Sequence, residues 1–295
     1  MSIAMDSYCM ECYLARNLEL ARKLGDEAQA TQFGRRLMEL MLSAPRDAAS
    51  PYLGPQVAQL LQELYGLPID RFAREKEQSN AFVLERMDSL REMIRSAQDP
   101  VLAGLKLAIL GNYLDFSALR DQVDFSYLDE KIRSDLNMEL EAESVAALKA
   151  DLERGGRLLY LTDNAGEIGF DRLFAEEIAR HYPNVEITFC VRGGIAANDA
   201  TRADAAAVGI PFPVIDNGNS IAGTQLDMLS REAEEALESA DVILAKGMAN
   251  CETMFGCGRN VYYAFLVKCG KFQRLFDRPL MTPMLVRERT AAAKD

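Results

Sequence analysis

Residues 155–168 read GGRLLYLTDNAGEI, and this stretch decides which fold the sequence predicts. The glycine pair at its start interrupts the helical pattern that precedes it, because glycine is a poor helix former. The apolar run at residues 157–161 is typical of a buried strand. The polar residues Thr162, Asp163 and Asn164 follow directly, where that strand is expected to end. The stretch therefore predicts a strand that carries polar groups at its carboxyl end.

Four further apolar runs follow in the second half of the chain, at residues 185–191, 212–215, 241–245 and 261–267. Helical patterns lie between them, near residues 170–180, 199–208 and 231–237. Strands that alternate with helices favour a parallel sheet with right-handed crossovers. The runs lack polar alternation, as is typical when helices cover both faces of a sheet. We predict a Rossmann-like α/β fold with three layers.

The first half of the chain has a helical pattern instead. Phe33, Leu37, Leu40 and Met41 recur at the spacing of one helix face, and similar patterns continue to residue 152. Prolines and the glycine pair separate these patterns from one another and from the first predicted strand. We predict an all-helical N-terminal domain at residues 1–154 and an α/β domain at residues 155–295.

The chain of 295 residues is acidic, with a formal net charge of -12. An acidic surface repels nucleic acids and anionic lipids, so we expect neither as a partner. The sequence has no apolar run of about 18 residues and no signal-peptide pattern, so we expect a cytoplasmic protein. Its six cysteines are then expected to be thiols. The only histidine, His181, is expected to cap a helix end rather than to act in catalysis.

Ligands of an open parallel sheet bind beyond the carboxyl ends of its strands. The polar residues that follow the predicted strands are therefore candidate site residues, namely Asp163, Asn164, Glu167, Arg192, Asp199, Lys246, Asn250 and Glu252. Asp163, Asn164 and Asp199 form an all-oxygen set that suits magnesium or manganese. Lys246 supplies a positive charge for a phosphate group. Asn112 and Asp115 are candidates from the helical part of the chain.

Each short pattern also has a purely structural explanation. Residues 163–166 are equally typical of a turn and a helix N-cap, as are residues 198–199. Arg192 is equally typical of a surface salt bridge, and Glu167 of the first turn of a helix. The combination at three successive strand ends favours the functional interpretation. Three known patterns are absent: a P-loop, a dinucleotide-binding glycine loop, and Asp-x-Asp, since Ala165 stands two residues after Asp163.

Four motifs resemble those of the metal-dependent damage-control phosphatases, a family long known as DUF89. In chain order they are LTDNAGEI at residues 161–168, VRG at 191–193 with NDAT at 198–201, DNG at 216–218 with GT at 223–224, and KGMANCE at 246–252. The resemblance covers residues 155–270 well and continues more loosely towards the N-terminus. The Arg-Thr-x-Lys motif of the sugar-phosphate branch is not evident, which leaves the substrate open.

The resemblance implies that Asp163, Asn164 and Asp199 bind a divalent metal. It also implies that Lys246 contacts the phosphate, so Asp163 and Lys246 are the expected catalytic residues. The expected metal is manganese, magnesium, cobalt or nickel, and the expected substrate is a phosphorylated sugar or a damaged phosphometabolite. The residues that we interpret as substrate-binding are Asn112, Asn164, Glu167, Arg192, Asn250 and Glu252.

Several alternatives stay open at this point. A carboxyl methyltransferase that uses S-adenosylmethionine is one, although no glycine-rich loop follows the first predicted strand. A non-catalytic sensor of a metal or a phosphometabolite is another. The nucleophile of the phosphatase reaction is either a water molecule or an aspartate, with Asp163 as the obvious candidate. The sequence does not predict the oligomeric state.

Cys9 and Cys12 form a Cys-x-x-Cys pair, which resembles an N-terminal element of the small, microbial-type branch of the family. Such a pair binds structural zinc when two further ligands are near, and Cys251, Cys257 or Cys269 are possible sources. A redox pair is a second alternative, but the pair does not follow a strand as it does in thioredoxin-like units. We expect two thiols on one helix face.

Overall fold

The computed structural model describes residues 2–115, 129–132 and 138–288. The tail of the predicted α/β domain, at 289–295, lies outside these residues. The helices that precede the sheet are α1 (Ser7–Leu24), α2 (Glu27–Ser43), α3 (Gly54–Tyr65), α4 (Ala73–Leu84), α5 (Met87–Ser96), α6 (Pro100–Leu110) and α7 (Ala142–Arg154). Short 3₁₀ turns at Ser50–Leu53 and Gly111–Tyr113 precede α3 and follow α6.

Local sequence signals begin and end these helices. Asp6 begins α1, because its side chain accepts a hydrogen bond from the Cys9 amide. Asp26 and Gln29 form a reciprocal capping box at the start of α2. Gly66 ends α3 in the left-handed conformation, with φ of 66°. Such caps satisfy amide and carbonyl groups that a helix end leaves without partners.

Strands and helices alternate after α7. In chain order they are β1 (Gly156–Leu161), α8 (Glu167–His181), β2 (Val185–Val191), α9 (Arg202–Ala207), β3 (Val214–Asp216), α10 (Arg231–Ser239), β4 (Val242–Lys246), α11 (Gly247–Met254), β5 (Val261–Leu266), α12 (Gly270–Phe276) and β6 (Pro283–Arg287). The described strands form one sheet in the order β3-β2-β1-β4-β5-β6. The first five are parallel, and β6 pairs antiparallel with β5. This topology confirms the predicted α/β class.

The observed strands differ in detail from the predicted ones. β4 extends to Lys246, so the lysine that was predicted to follow the strand is its last residue. β3 comprises only Val214–Asp216, later and shorter than the predicted run. β6 was not predicted, because Pro283 and the adjacent charged residues obscure the apolar pattern of this edge strand.

Helices cover both faces of the sheet, as predicted. Leu158 and Tyr160 of β1 point into a core that also contains residues of α5, α6 and α8. Leu159 and Leu161 alternate with them and point into a second core, which residues of α10, α11 and α12 complete. Successive side chains of a strand face opposite sides, so an apolar strand contributes to two cores.

A third apolar cluster joins α1, α2 and α3 around Phe33 and Leu61. The core that α6 shares with β1 and α8 shows that helices from the first half of the chain also pack directly on the sheet. The division of the chain into two domains at residue 154 stays a prediction. Among the helices that the structure describes, none combines the length and the apolar character that crossing a membrane requires.

Candidate active site

Backbone hydrogen bonds join the loop after β1 to the loop after β2. The Ala200 amide donates to the Asp163 carbonyl at 2.7 Å. The backbones of Asn164 and Asp199 form an isolated antiparallel bridge. The structure thereby brings together the three predicted metal ligands, although 35 positions of sequence separate Asn164 from Asp199.

Asp163 belongs to the loop after β1 and is almost buried, with 6% of its surface exposed. Its Oδ2 accepts hydrogen bonds from the side-chain amides of Asn112 and Asn164, at 2.9 and 2.8 Å. Burial raises the pKa of Asp163 well above its usual range, and the carboxylates of Glu167 and Asp199 raise it further. Within the described residues, the side chains that donate hydrogen bonds to the Asp163 carboxylate are neutral amides. Its charged neighbours include other carboxylates.

Hydrogen bonds fix the orientation of the Asn164 side chain on both sides. Its Nδ2 donates to Asp163 Oδ2 and to Glu167 Oε2, both at 2.8 Å. Its Oδ1 accepts from Asn198 Nδ2, also at 2.8 Å. Glu167 Oε2 accepts a further bond, at 2.9 Å, from Asn112 Nδ2. The fully buried Glu167 thus holds two of the predicted site residues in place.

Lys246 is fully buried beneath this arrangement. Its Nζ donates to the Ala108 carbonyl at 2.8 Å, and to Glu167 Oε1 and Asp171 Oδ1 at 2.7 Å each. Burial disfavours the charged form of Lys246, but the carboxylates of Asp171 and Glu167 outweigh this effect and raise its pKa. The predicted contact between Lys246 and a phosphate stays a prediction.

Arg192 forms a buried ion pair with a predicted metal ligand. Its Nε donates to Asp199 Oδ2 at 2.6 Å, and its Nη2 donates to the Thr162 carbonyl at 3.0 Å. Its Nη1 is buried and has no hydrogen-bond partner in the part of the chain that the structure describes. Burial raises the pKa of Asp199, and the charge of Arg192 opposes this rise. The surface salt bridge considered for Arg192 is therefore wrong, because the pair is inside the protein.

Asn250 and Glu252 of α11 point to different surroundings. Asn250 Nδ2 donates to the Thr162 carbonyl at 3.0 Å, and its Oδ1 accepts from Thr224 Oγ1 at 2.8 Å. Glu252 instead accepts a hydrogen bond from Ser50 Oγ at 3.0 Å. Asn250 thus supports the loop after β1, whereas Glu252 faces the helical part of the chain. Their predicted contacts with a substrate stay predictions.

Lys268, which was not among the residues predicted from the sequence, follows the end of β5. Its Nζ donates to Asp115 Oδ2 at 2.8 Å, and its side chain is buried. Besides the effect of burial, the charge of Asp115 raises the pKa of Asp163 and that of Lys268 lowers it, so both groups lie near Asp163. The rule that ligands bind beyond strand ends would have found Lys268 if it had been applied to the fifth strand.

Helix α4 also reaches the loop after β1. Asn80 Oδ1 accepts a hydrogen bond from the Gly166 amide at 2.7 Å. Asn80 Nδ2 donates to Asp204 Oδ1 at 2.9 Å, and Lys76 Nζ lies 2.8 Å from Asp204 Oδ2. These buried contacts join α4, α9 and the start of α8. No local sequence motif predicts these contacts, because they depend on packing between distant segments.

The other residues singled out in the sequence have simpler surroundings. His181 is the last residue of α8, and its Nε2 lies 3.6 Å from Glu177 Oε2. Cys9 and Cys12 lie near the start of α1 as free thiols. The metal-binding and redox alternatives for this pair stay predictions.

The side chains around Asp163 fit a hard divalent cation. Asp163, Asn164 and Asp199 offer oxygen ligands, which magnesium and manganese prefer. Asn198 Oδ1 is buried beside Asn164 and has no hydrogen-bond partner within the described residues. No cluster of three or more histidine, cysteine, aspartate or glutamate side chains with metal-binding geometry occurs in those residues. The predicted set combines two carboxylates with one amide oxygen, which is fewer ligands than a hard cation takes, so water or substrate oxygens would complete its coordination.

Residues 5–280 match the damage-control phosphatase ARMT1-like domain. An uncharacterized protein of Methanocaldococcus jannaschii is 31% identical, over 91% of this chain and 90% of that protein. A damage-control phosphatase of Archaeoglobus fulgidus is 29% identical, over 88% of this chain and 91% of that protein. The crystal structure of a DUF89 family protein from Pyrococcus horikoshii superposes with a TM-score of 0.82 at 25% identity, covering 97% of this chain and 99% of that one.

The family match spans both the helical part and the sheet, and so includes every predicted site residue. A second damage-control phosphatase, from Pyrococcus horikoshii, is 36% identical over 59% of this chain and 61% of that protein. Relatives that are named damage-control phosphatases support a phosphatase role. The chain belongs to the family defined by the damage-control phosphatase ARMT1-like domain.

Proposed function

We propose that the chain is a metal-dependent phosphomonoesterase whose substrate is a phosphorylated sugar or another small, damaged phosphometabolite. The observation that carries the proposal is the buried carboxylate of Asp163, which lies near Glu167 and Asp199 and accepts hydrogen bonds from neutral amides. Negative charge concentrated away from water favours a bound cation. The pair Cys9 and Cys12 supports assignment to the small, microbial-type branch of the family.

Asp163, Asn164 and Asp199 are the proposed ligands of the cation, which is manganese, magnesium, cobalt or nickel. A cation bound there supplies Lewis-acid polarisation of a phosphoryl oxygen. The protein supplies the geometry, because Glu167 fixes Asn164 and Arg192 fixes Asp199 through hydrogen bonds of 2.8 and 2.6 Å. Ligands that are held in this way need little rearrangement when a substrate arrives.

A phosphate group also needs positive charge from the protein, which is acidic as a whole. Lys268 meets this need, since Asp115 holds its ammonium group at 2.8 Å in the neighbourhood of Asp163. One ion pair uses one of the three donors of an ammonium group and leaves the others for phosphate oxygens. Arg192 Nη1, which is buried without a partner among the described residues, is a second donor of this kind.

Phosphate release from p-nitrophenyl phosphate and from a panel of sugar phosphates tests the proposal. The protein is first stripped with a chelator, and manganese, magnesium, cobalt or nickel is then added back. We expect metal to restore hydrolysis, and we expect Asp163→Asn and Asp199→Asn to lower kcat by at least about 100-fold, a loss typical of removing a group that organises the transition state. Asp227→Asn changes an exposed aspartate in the same way and should retain activity.

The proposal fails if the stripped protein hydrolyses these esters as fast as the metal-loaded protein does. It also fails if the Asp163→Asn variant keeps its full activity. Tight metal binding without turnover of any ester would instead favour a protein that binds a metal or a phosphometabolite and does not act on it.

A further inference from the structure

The ammonium group of Lys246 has no donor left for a ligand. An ammonium group has three N–H donors, and the geometry assigns one to Ala108, one to Glu167 and one to Asp171. The side chain is also fully buried, as are those of Glu167 and Asp171. A phosphate oxygen could reach Lys246 only if one of these three hydrogen bonds were broken inside the protein.

Hydrogen bonds of Glu167 connect Lys246 to a predicted metal ligand. Its Oε1 accepts from Lys246 at 2.7 Å, while its Oε2 accepts from Asn164 Nδ2 at 2.8 Å. The second hydrogen of Asn164 Nδ2 is directed at Asp163 Oδ2, also at 2.8 Å. Both hydrogens of the amide group are thus committed to carboxylates. The Asn164 Oδ1 must then point the opposite way, to the side on which Asn198 and Asp199 lie.

We propose that Lys246 is a positioning residue, which acts through Glu167 on the orientation of Asn164 and so controls cation affinity rather than contact with the phosphate. This inference rests on the proposed metal site at Asp163, Asn164 and Asp199. It assigns different tasks to the two lysines that lie at strand ends. Lys246, the last residue of β4, organises the metal ligands, and Lys268, beyond β5, contacts the phosphate.

The role of Lys246 depends on its positive charge. Without the ammonium group, Glu167 and Asp171 are two buried carboxylates with no cation between them, and Asp171 Oδ2 already lacks a hydrogen-bond partner within the described residues. Their mutual repulsion displaces Glu167, and the Asn164 amide loses the acceptor that orients it. Loss of such an outer partner typically weakens metal binding by about 10- to 100-fold.

The experiment compares Lys246→Met with Lys268→Met in the full chain. Manganese affinity is measured by the electron paramagnetic resonance signal of the free ion. Binding of inorganic phosphate is measured by calorimetry on manganese-saturated protein, so neither readout requires turnover. We expect Lys246→Met to raise the Kd for manganese by about 10- to 100-fold while changing the Kd for phosphate by less than about 3-fold. Lys268→Met should show the reverse pattern.

Glu167→Gln is a second variant that tests the same contact if Lys246→Met does not fold, because it keeps Lys246 and one acceptor for its ammonium group. The amide of the new glutamine donates towards Asn112 and Asn164, which are donors themselves, so manganese affinity should fall as in Lys246→Met. A variant that combines Lys246→Met with Glu167→Gln should have a Kd for manganese no higher than the higher of the two single-variant values, since both substitutions act through one contact.

A higher Kd for phosphate in Lys246→Met, with an unchanged Kd for manganese, would overturn the inference and assign Lys246 to the phosphate. Unchanged manganese affinity in Glu167→Gln would overturn it as well. If the proposed phosphatase function is wrong, the wild-type protein lacks turnover. The affinities of the variants for manganese and for phosphate can still be compared in that case.

Discussion

At the scale of single residues, Gly247 determines how closely the end of β4 approaches Asp163. Its φ is 76°, a conformation that residues with a Cβ rarely adopt. A Cβ at this position would lie 2.0 Å from Asp163 Oδ2 and 2.2 Å from its Cγ. Glycine is therefore required at this position for two reasons. The backbone turn into α11 needs a positive φ, and the Asp163 carboxylate occupies the space that a Cβ would fill.

Gly247→Ala should displace the Asp163 carboxylate and lower metal affinity and kcat/KM by at least about 10-fold, as expected when a metal ligand loses its supported position. Gly258→Ala is a matched control, because Gly258 has φ of 75° but a Cβ there would meet nothing within 4 Å. Both variants should lose about 1–2 kcal/mol of stability from the strained backbone. Manganese titration and thermal unfolding separate the two effects, and equal metal affinity in both variants would contradict the role given to Gly247.

At the scale of elements, the contact between α6 and α8 places Asn112 beside Glu167. Gly104 lets the two helices approach closely, since a Cβ there would lie 3.3 Å from the Phe174 Cα. Gly111, at the end of α6, faces the Phe170 ring in the same way. Asn112 follows directly and donates to Glu167. Close packing of two helices thus carries a side chain of the helical part into the site.

Gly104→Leu should push α6 away from α8, because the backbone and ring of Phe174 leave no room for a large side chain. Overpacking of this kind costs about 1–3 kcal/mol of stability, and activity should fall further as Asn112 withdraws. Gly270→Leu is the control, since it places the same side chain at the exposed first residue of α12, where a Cβ would meet only the ends of the Arg274 and Gln273 side chains at 3.5 Å or more. Urea unfolding should detect the loss only in Gly104→Leu; a similar stability of the two variants would refute this account of the contact.

The strands of the sheet show which elements the sequence predicts well. The buried strands β1, β2, β4 and β5 were found from their apolar runs, because strands covered on both faces have no polar positions to interrupt the pattern. β6 was missed, since an edge strand with a proline lacks that pattern. The polar residues after the strands were predicted to lie at one edge of the sheet, because ligands of a parallel sheet bind beyond the carboxyl ends of its strands.

At the scale of the whole molecule, prediction from local patterns fails where distant segments meet. The strand-end rule named Asp163, Asn164 and Asp199, but it did not show that Glu167 and Asp171 enclose Lys246. Nor did it predict that Asn80 of α4 accepts from the Gly166 amide, 86 positions away. The first contact joins α8 to β4, and the second joins α4 to the loop after β1. A single sequence carries no local signal for either.

The chain also joins its two halves through Glu252, which lies on α11 and faces Ser50. The backbone amide of Ile3 donates to the Glu252 carbonyl at 2.7 Å, so the N-terminal segment packs against the same residue. Burial raises the pKa of this carboxyl group to about 7, while nearby Lys271 lowers it and Asp6 raises it. The ionised form is therefore less favourable in the folded protein than in the unfolded chain.

Because the folded-state pKa of Glu252 is above its unfolded value, its contribution to stability is complete below the unfolded pKa and is lost as pH rises through about 7. Glu252→Gln keeps an acceptor for Ser50 and cannot ionise, so it should gain stability relative to wild type between about pH 5 and about pH 8. A gain of about 1–3 kcal/mol follows from a shift of this size. Urea unfolding at both pH values measures it, with the exposed Glu238→Gln as the control for loss of one charge. If the two variants show the same pH dependence relative to wild type, ionisation of Glu252 does not weaken the contact between the N-terminal segment and α11.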